Sequence, residues 1–127
     1  MEKITSEFIA KFIIDNDFEY KSSHQILSIP IINRIYQKMM VGIKFNVLKV
    51  SENIIIDGHH RYISSLLANA SIEKTLTIKP SAIEIYDWKN VEFVSEEWDT
   101  QLKINQLNKI DAAYNNIDIQ KLIEITK

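Results

Sequence analysis

Three consecutive isoleucines, Ile54, Ile55 and Ile56, run without a polar break into Asp57 and Gly58, and beyond them the apolar residues change period. A short β-branched run with no polar interruption reads as a strand buried on both faces. Tyr62, Ile63, Leu66, Leu67 and Ala70 then recur at helical spacing, so a helix begins near Gly58 or His59. The chain is thereby confined to folds in which a buried strand turns directly into a helix. Only two glycines and two prolines occur in 127 residues, which leaves nothing to mark a linker or a boundary. The expectation is one domain over 1–127, with 46% hydrophobic residues to fill one core.

The flanking sequence supplies partners for that strand and helix. Thr5 or Ser6 caps a helix carrying Phe8, Ile9, Phe12 and Ile13, which Asp15, Asn16 and Asp17 end. Ser28 and Pro30 open a second helix, whose apolar stripe of Ile31, Ile32, Ile35, Met39 and Met40 stops at Gly42. Arg34 and Lys38 fall on its opposite face, one turn apart. Lys44 to Val50 alternates, with Phe45, Val47 and Lys49 on one side, and the turn Ser51-Glu52-Asn53 makes a hairpin with the isoleucine run. Leu76 with Ile78, Ile83 with Ile85, and 91–94 are further strand candidates. Thr100 to Tyr114 reads as a helix, and Asp118 caps a last one, making 99–127 a helical segment. The expected class is α+β, a small mixed sheet with helices packed at its side and ends.

Absence of cysteine removes disulfides, thiolate nucleophiles and cysteine-bound zinc together. No apolar run is long enough to span a bilayer, and Met1 to Ala10 lacks the layout of a signal peptide, so a soluble domain without a membrane partner is expected. A net charge of -2 with both signs interleaved gives no field for gripping long nucleic acids.

Chemistry concentrates at the joint. A strand leading through glycine into a helix presents free backbone N–H groups and the positive dipole end, which attract phosphate. Gly58 permits close approach, and Arg61 in the first turn can reach a phosphate oxygen with its planar fork. An arginine there opposes the dipole, which points to a bound anion or a carboxylate as its counterpart. His59 and His60 can donate hydrogen bonds or move protons. Asp57 either caps the helix or holds a magnesium ion against the phosphates. Adjacent helical positions point about 100° apart, so a shared His59–His60 metal site is disfavoured and one histidine is as well read as structural. His24 sits in a polar stretch and reads as a solvated loop residue. Trp88, Phe93 and Trp98 read as core anchors, and Glu96, Glu97 and Asp99 as an acidic patch that is a solvated face or the start of a helix. Glu84 and Asp87 are reserve candidates for a general base.

The string from Ile54 to Ala70 with its Asp57-Gly58-His59-His60-Arg61 centre, preceded by the hairpin and by Pro30 at a helix start, resembles the ParB/sulfiredoxin superfamily over 28–70. Members of that superfamily place a Gly-x-x-Arg motif between a strand and a helix. The resemblance implies a nucleotide as ligand, ATP or another, with Mg2+ beside it. It implies phosphate contacts from Gly58, His60 and Arg61, with Lys38 or Arg34 as a second cation, and catalytic roles for Asp57, His59 and His60, with Asp57 on the metal. Sulfiredoxin carries its cysteine where this chain has His59, so reductase chemistry is excluded here. The implied activity is phosphoryl transfer or nucleotide hydrolysis. The alternatives are a ParB-like nuclease acting on DNA or RNA, and a non-catalytic nucleotide switch. The Asp-Gly-His form is also similar to catalytic ends of bacterial toxins, which implies a cytoplasmic site of action, or delivery into a bacterial cytoplasm, and an immunity protein as partner.

Overall fold

The computed structural model describes residues 3–126, and residues 1, 2 and 127 lie outside the described residues. The fold is α+β. Helices α1 (Ser6–Asp15), α2 (Ile29–Met40), α3 (His59–Ala68), α4 (Gln101–Tyr114) and α5 (Ile119–Ile125) accompany strands β1 (Ile26–Ser28), β2 (Leu48–Ser51), β3 (Ile54–Asp57), β4 (Lys74–Leu76) and β5 (Glu92–Val94). The strands sort into two small sheets rather than one. A three-stranded sheet has the order β3-β2-β4, and β1 pairs with β5 alone. β2 and β3 form the expected antiparallel hairpin about Glu52, whose φ of 53° sits in the left-handed region; β4 joins β2 in parallel.

Local chemistry accounts for the helix ends. Thr5 and Thr100 cap α1 and α4, each side-chain oxygen accepting a backbone N–H at 3.1 Å, from Phe8 and Lys103. Asp118 opens α5 in the same way. Ser28 precedes α2 as expected but makes no side-chain cap, because its hydroxyl instead donates to the Glu96 carbonyl at 2.8 Å. α2 and α3 pack closely where Ser64 and Ser65 are buried, and Ser64 Oγ donates to the Ile32 carbonyl at 3.1 Å.

Two further expectations change. β2 is limited to Leu48–Ser51 and buries Leu48 and Val50, so Phe45, Val47 and Lys49 belong to the opposite phase and 44–47 is not strand. Ile78, Ile83 and Ile85 also lie outside strands, and β4 is an exposed edge whose Leu76 is 81% accessible. The main core gathers Ile9, Leu27, Ile32, Leu48, Ile55 and Ile63, with Trp88 beneath Phe18 and Tyr62. Phe93 packs against this core as an anchor, but Trp98 is 44% exposed. Ile43, Ala112 and Leu122 make a smaller cluster under α4 and α5. No helix among the described residues is long and apolar enough to cross a membrane.

Gly58 joins β3 to α3 with a φ of +98°, and a Cβ there would meet Leu48 Cδ2 at 2.5 Å and Arg61 Nη2 at 2.8 Å. Gly42, at +90°, has nothing within 4 Å of the same position. Gly58→Ala is therefore expected to cost about 2–4 kcal/mol, backbone strain plus overpacking, and Gly42→Ala about 1 kcal/mol from strain alone. Chemical denaturation of both variants checks the difference, and equal losses would show that the close approach at Gly58 relaxes freely.

Candidate active site

The β3–α3 joint opens on a cavity of about 460 Å³ between α2, α3 and α4. Every residue singled out from the sequence as a site candidate, Asp57, Gly58, His59, His60, Arg61, Lys38 and Arg34, lines it. Its remaining wall is largely apolar, including Ile35, Phe45, Leu107, Ile110 and Tyr114.

Gly58 is the N-cap of α3 in left-handed conformation and offers no side-chain cap, so Asp57 does not cap the helix. The Asp57 carboxylate is 63% exposed and reaches Arg61 Nη2 at 3.3 Å, four residues on. Arg61 folds back over Gly58 and donates through Nη1 to the carbonyls of Asn46 at 2.9 Å and Val47 at 3.3 Å. β2 begins at Leu48, where its pairing with β4 starts at Lys74, and its register with β3 runs out at Asp57. Of the five N–H groups of a guanidinium, Nε–H and one on Nη2 remain without a partner among the described residues. Arg61 is thus a structural clasp as well as a cation.

The histidines are more engaged than their polar surroundings suggest. His59 is 2% exposed, and its Nε2 accepts the Ser23 backbone N–H at 3.0 Å. Ser23 Oγ lies 3.0 Å from the same nitrogen while donating to the Ile55 carbonyl at 2.7 Å. An accepting Nε2 assigns the proton to Nδ1. Among the described residues, Nδ1 is the one buried side-chain polar atom without a hydrogen-bond partner. His60 repeats the arrangement, with Nε2 accepting the Ser28 N–H at 3.0 Å, and its ring stands edge-on to Trp98 at 5.4 Å. His24, read from sequence as a solvated loop residue, lies flat on His59 with ring centroids 3.8 Å apart. No sequence signal links them, because the contact depends on the turn at Ser22 and Ser23.

Burial, assisted by the neighbouring His24 and His60, pushes the His59 imidazole down from 6.5 to about 3, against the Ile55 carbonyl. Burial and His24 lower His60 to about 4, opposed by Asp99. Both rings are neutral near pH 7, with the ring nitrogen that could take a proton already occupied. Their geometry suits hydrogen-bond donation from Nδ1 better than the proton transfer expected of them.

The cations on α2 are also paired. Arg34 and Lys38 share a face as expected, but the C-terminal segment covers it. Arg34 forms a forked pair with Glu97 and reaches Asp99 Oδ2 at 2.8 Å. That pairing holds the Glu97 carboxyl below its ordinary range, and the acidic patch is not merely solvated. Lys38 is buried, and its Nζ meets Asp111 Oδ2 at 2.7 Å. Met40, placed on the apolar stripe by its spacing, is instead 50% exposed. Glu84 and Asp87, the reserve candidates, do not line the cavity. No group of three or more His, Asp and Glu among the described residues is arranged to hold a metal ion, so Asp57 would meet a metal only together with ligand oxygens.

No family model, curated protein or solved structure matches the chain.

Both histidines have folded pKa values below the 6.5 of an unfolded chain. The unfolded chain therefore binds protons first as pH falls, and stability decreases from about pH 6.5 downward. Between pH 6.5 and 5, above the range where carboxylates titrate, each ring is expected to remove about 2 kcal/mol. Thermal melts of the parent and of His60→Gln across that window check it, with the variant losing roughly half the slope. A parent melting temperature independent of pH from 6.5 to 5 contradicts the neutral-ring assignment.

Proposed function

We propose that this chain binds a nucleotide, ATP or a relative, or another small phosphorylated substrate, with its phosphate at the N terminus of α3, and acts in phosphoryl transfer or nucleotide hydrolysis as a ParB/sulfiredoxin-type domain. The observation that carries the reading is the N terminus of α3, which opens on the cavity with no side-chain cap on its first-turn amides. The buried, unpartnered Nδ1–H of His59 beside it is a second donor in want of an acceptor. A cavity of about 460 Å³ is of single-nucleotide size, and its apolar wall suits a base and sugar. At net charge -2, a track for a long nucleic acid has less support.

Within this reading, Gly58 admits the phosphate, the first-turn amides and the free N–H groups of Arg61 hold it, and His59 and His60 donate from Nδ1. Arg34 and Lys38 flank the site. Asp57, the exposed carboxylate at the joint, is the group available to accept a proton or to meet Mg2+ on the phosphates. A bound Mg2+ would supply charge neutralisation at the phosphoryl group. The engagement of both histidine Nε2 atoms favours, as a second reading, a nucleotide-binding switch without turnover. Action in a bacterial cytoplasm, and an immunity protein as partner of a toxin domain, rest on the sequence resemblance alone.

Titration calorimetry against ATP, ADP, CTP and GTP, with and without Mg2+, is expected to reveal saturable binding of at least one nucleotide at one site. Asp57→Asn is expected to keep that affinity within a few-fold and to cut nucleotide turnover by roughly 10²-fold, the size of a lost acid–base contribution. Binding with no turnover in the parent selects the switch reading. Absence of binding by every nucleotide and by millimolar phosphate overturns both.

A further inference from the structure

The carboxylates that neutralise the α2 cations all come from one stretch of chain. Glu97 and Asp99 hold Arg34, and Asp111 on α4 holds Lys38, across sequence separations of 63, 65 and 73 residues. Arg34, Lys38, Asp99 and Asp111 all line the cavity. Apolar packing holds α4 only thinly. Ala112 is its one buried residue, while Leu102, Ile110 and Tyr114 are 68%, 60% and 56% exposed. The Lys38–Asp111 pair ties α4 itself to α2, and the Arg34 pairs tie down the segment just ahead of it.

From this arrangement we infer that the segment 97–111 is an internal competitor for the phosphate site: its carboxylates occupy Arg34 and Lys38 in the free protein, and an anionic ligand takes over those cations and releases α4. The inference rests on the phosphate reading above. A nucleotide di- or triphosphate is the matching ligand class, because it places several charged oxygens near two cations one helical turn apart on α2. The α3 N terminus and Arg61 would take one phosphate, and Arg34 and Lys38 the others. Ligand binding and movement of α4 are then coupled, since each carboxylate leaving its cation removes a tie between α2 and either α4 or the segment that leads into it.

The test compares the parent with Glu97→Gln/Asp99→Asn and, separately, with Asp111→Asn. The double variant is the primary one, because Arg34 is 22% exposed and stays solvated without its partners. Asp111→Asn leaves the buried Lys38 uncompensated and is read only where it remains folded by circular dichroism. Glu73→Gln/Glu92→Gln, which removes the same charge away from the cavity, is the control. ATP binding by calorimetry is expected to tighten about threefold to tenfold in the double variant and not in the control, the range of releasing one partly exposed ion-pair network. Amide exchange across 101–114 is expected to quicken in the double variant without ligand, and in the parent when ATP is added. Parental affinity in the double variant overturns the inference while leaving the phosphate reading intact. Weaker binding there overturns it by making the carboxylates part of the ligand or metal site. If no form binds any nucleotide, the phosphate reading fails and the inference falls with it.

Discussion

A left-handed backbone at Gly58 sets the geometry on which the site depends. With φ at +98°, the chain reverses from β3 into α3 within one residue, and this aims the first-turn amides of α3 at the cavity. Leu48 and the Arg61 guanidinium close over the place where a Cβ would be. Arg61 can then reach the Asn46 and Val47 carbonyls, just ahead of β2. His59 enters the core and His60 turns toward Ser28, so one backbone conformation distributes consecutive side chains to different tasks.

Polar atoms are buried around this joint at some expense, which hydrogen bonds offset. Imidazole nitrogens accept backbone N–H groups from Ser23 and Ser28, and thereby satisfy amides from the segment that leads into and through β1. Neutral rings suit that task, because an imidazolium has no acceptor nitrogen to offer. The unpartnered Nδ1–H of His59 is the exception, and it stands beside the uncapped helix end. Two unsatisfied donor sets thus stand close together at one joint. The cations of α2 are by contrast already satisfied from within the chain.

Much of the fold was legible in residues that act locally. The triple isoleucine strand, the change of period after Gly58, and the caps at Thr5 and Asp118 each depend on neighbours within four positions. The phase of β2 was not legible, because Phe45 and Val47 alternate as well as Leu48 and Val50 do, and only the packing of the folded chain shows that Leu48 and Val50 are the buried pair. At the site, the run from Asp57 to Arg61 could be read because one joint brings it together. His24, Trp98, Glu97 and Asp111 could not, since their contacts form between distant segments and leave no spacing to detect. The burial of Lys38 against Asp111 was not legible for the same reason: a helix face by itself does not record what will cover it.

The histidine bonds also constrain the order in which the molecule assembles. His59 to Ser23 spans 36 residues, His60 to Ser28 spans 32, and Ser28 to Glu96 spans 68. β1 additionally needs β5, some three-quarters of the way along the chain, as its only strand partner among the described residues. Contacts of such sequence separation carry a large loop-closure entropy and form late relative to local helices. The hairpin and α3 can therefore appear early with the motif intact in sequence order, yet the imidazoles have no amides to bind until β1 is seated. The cavity at this joint is accordingly a property of the completed fold, and a nascent or partly opened chain carries the motif without the pocket.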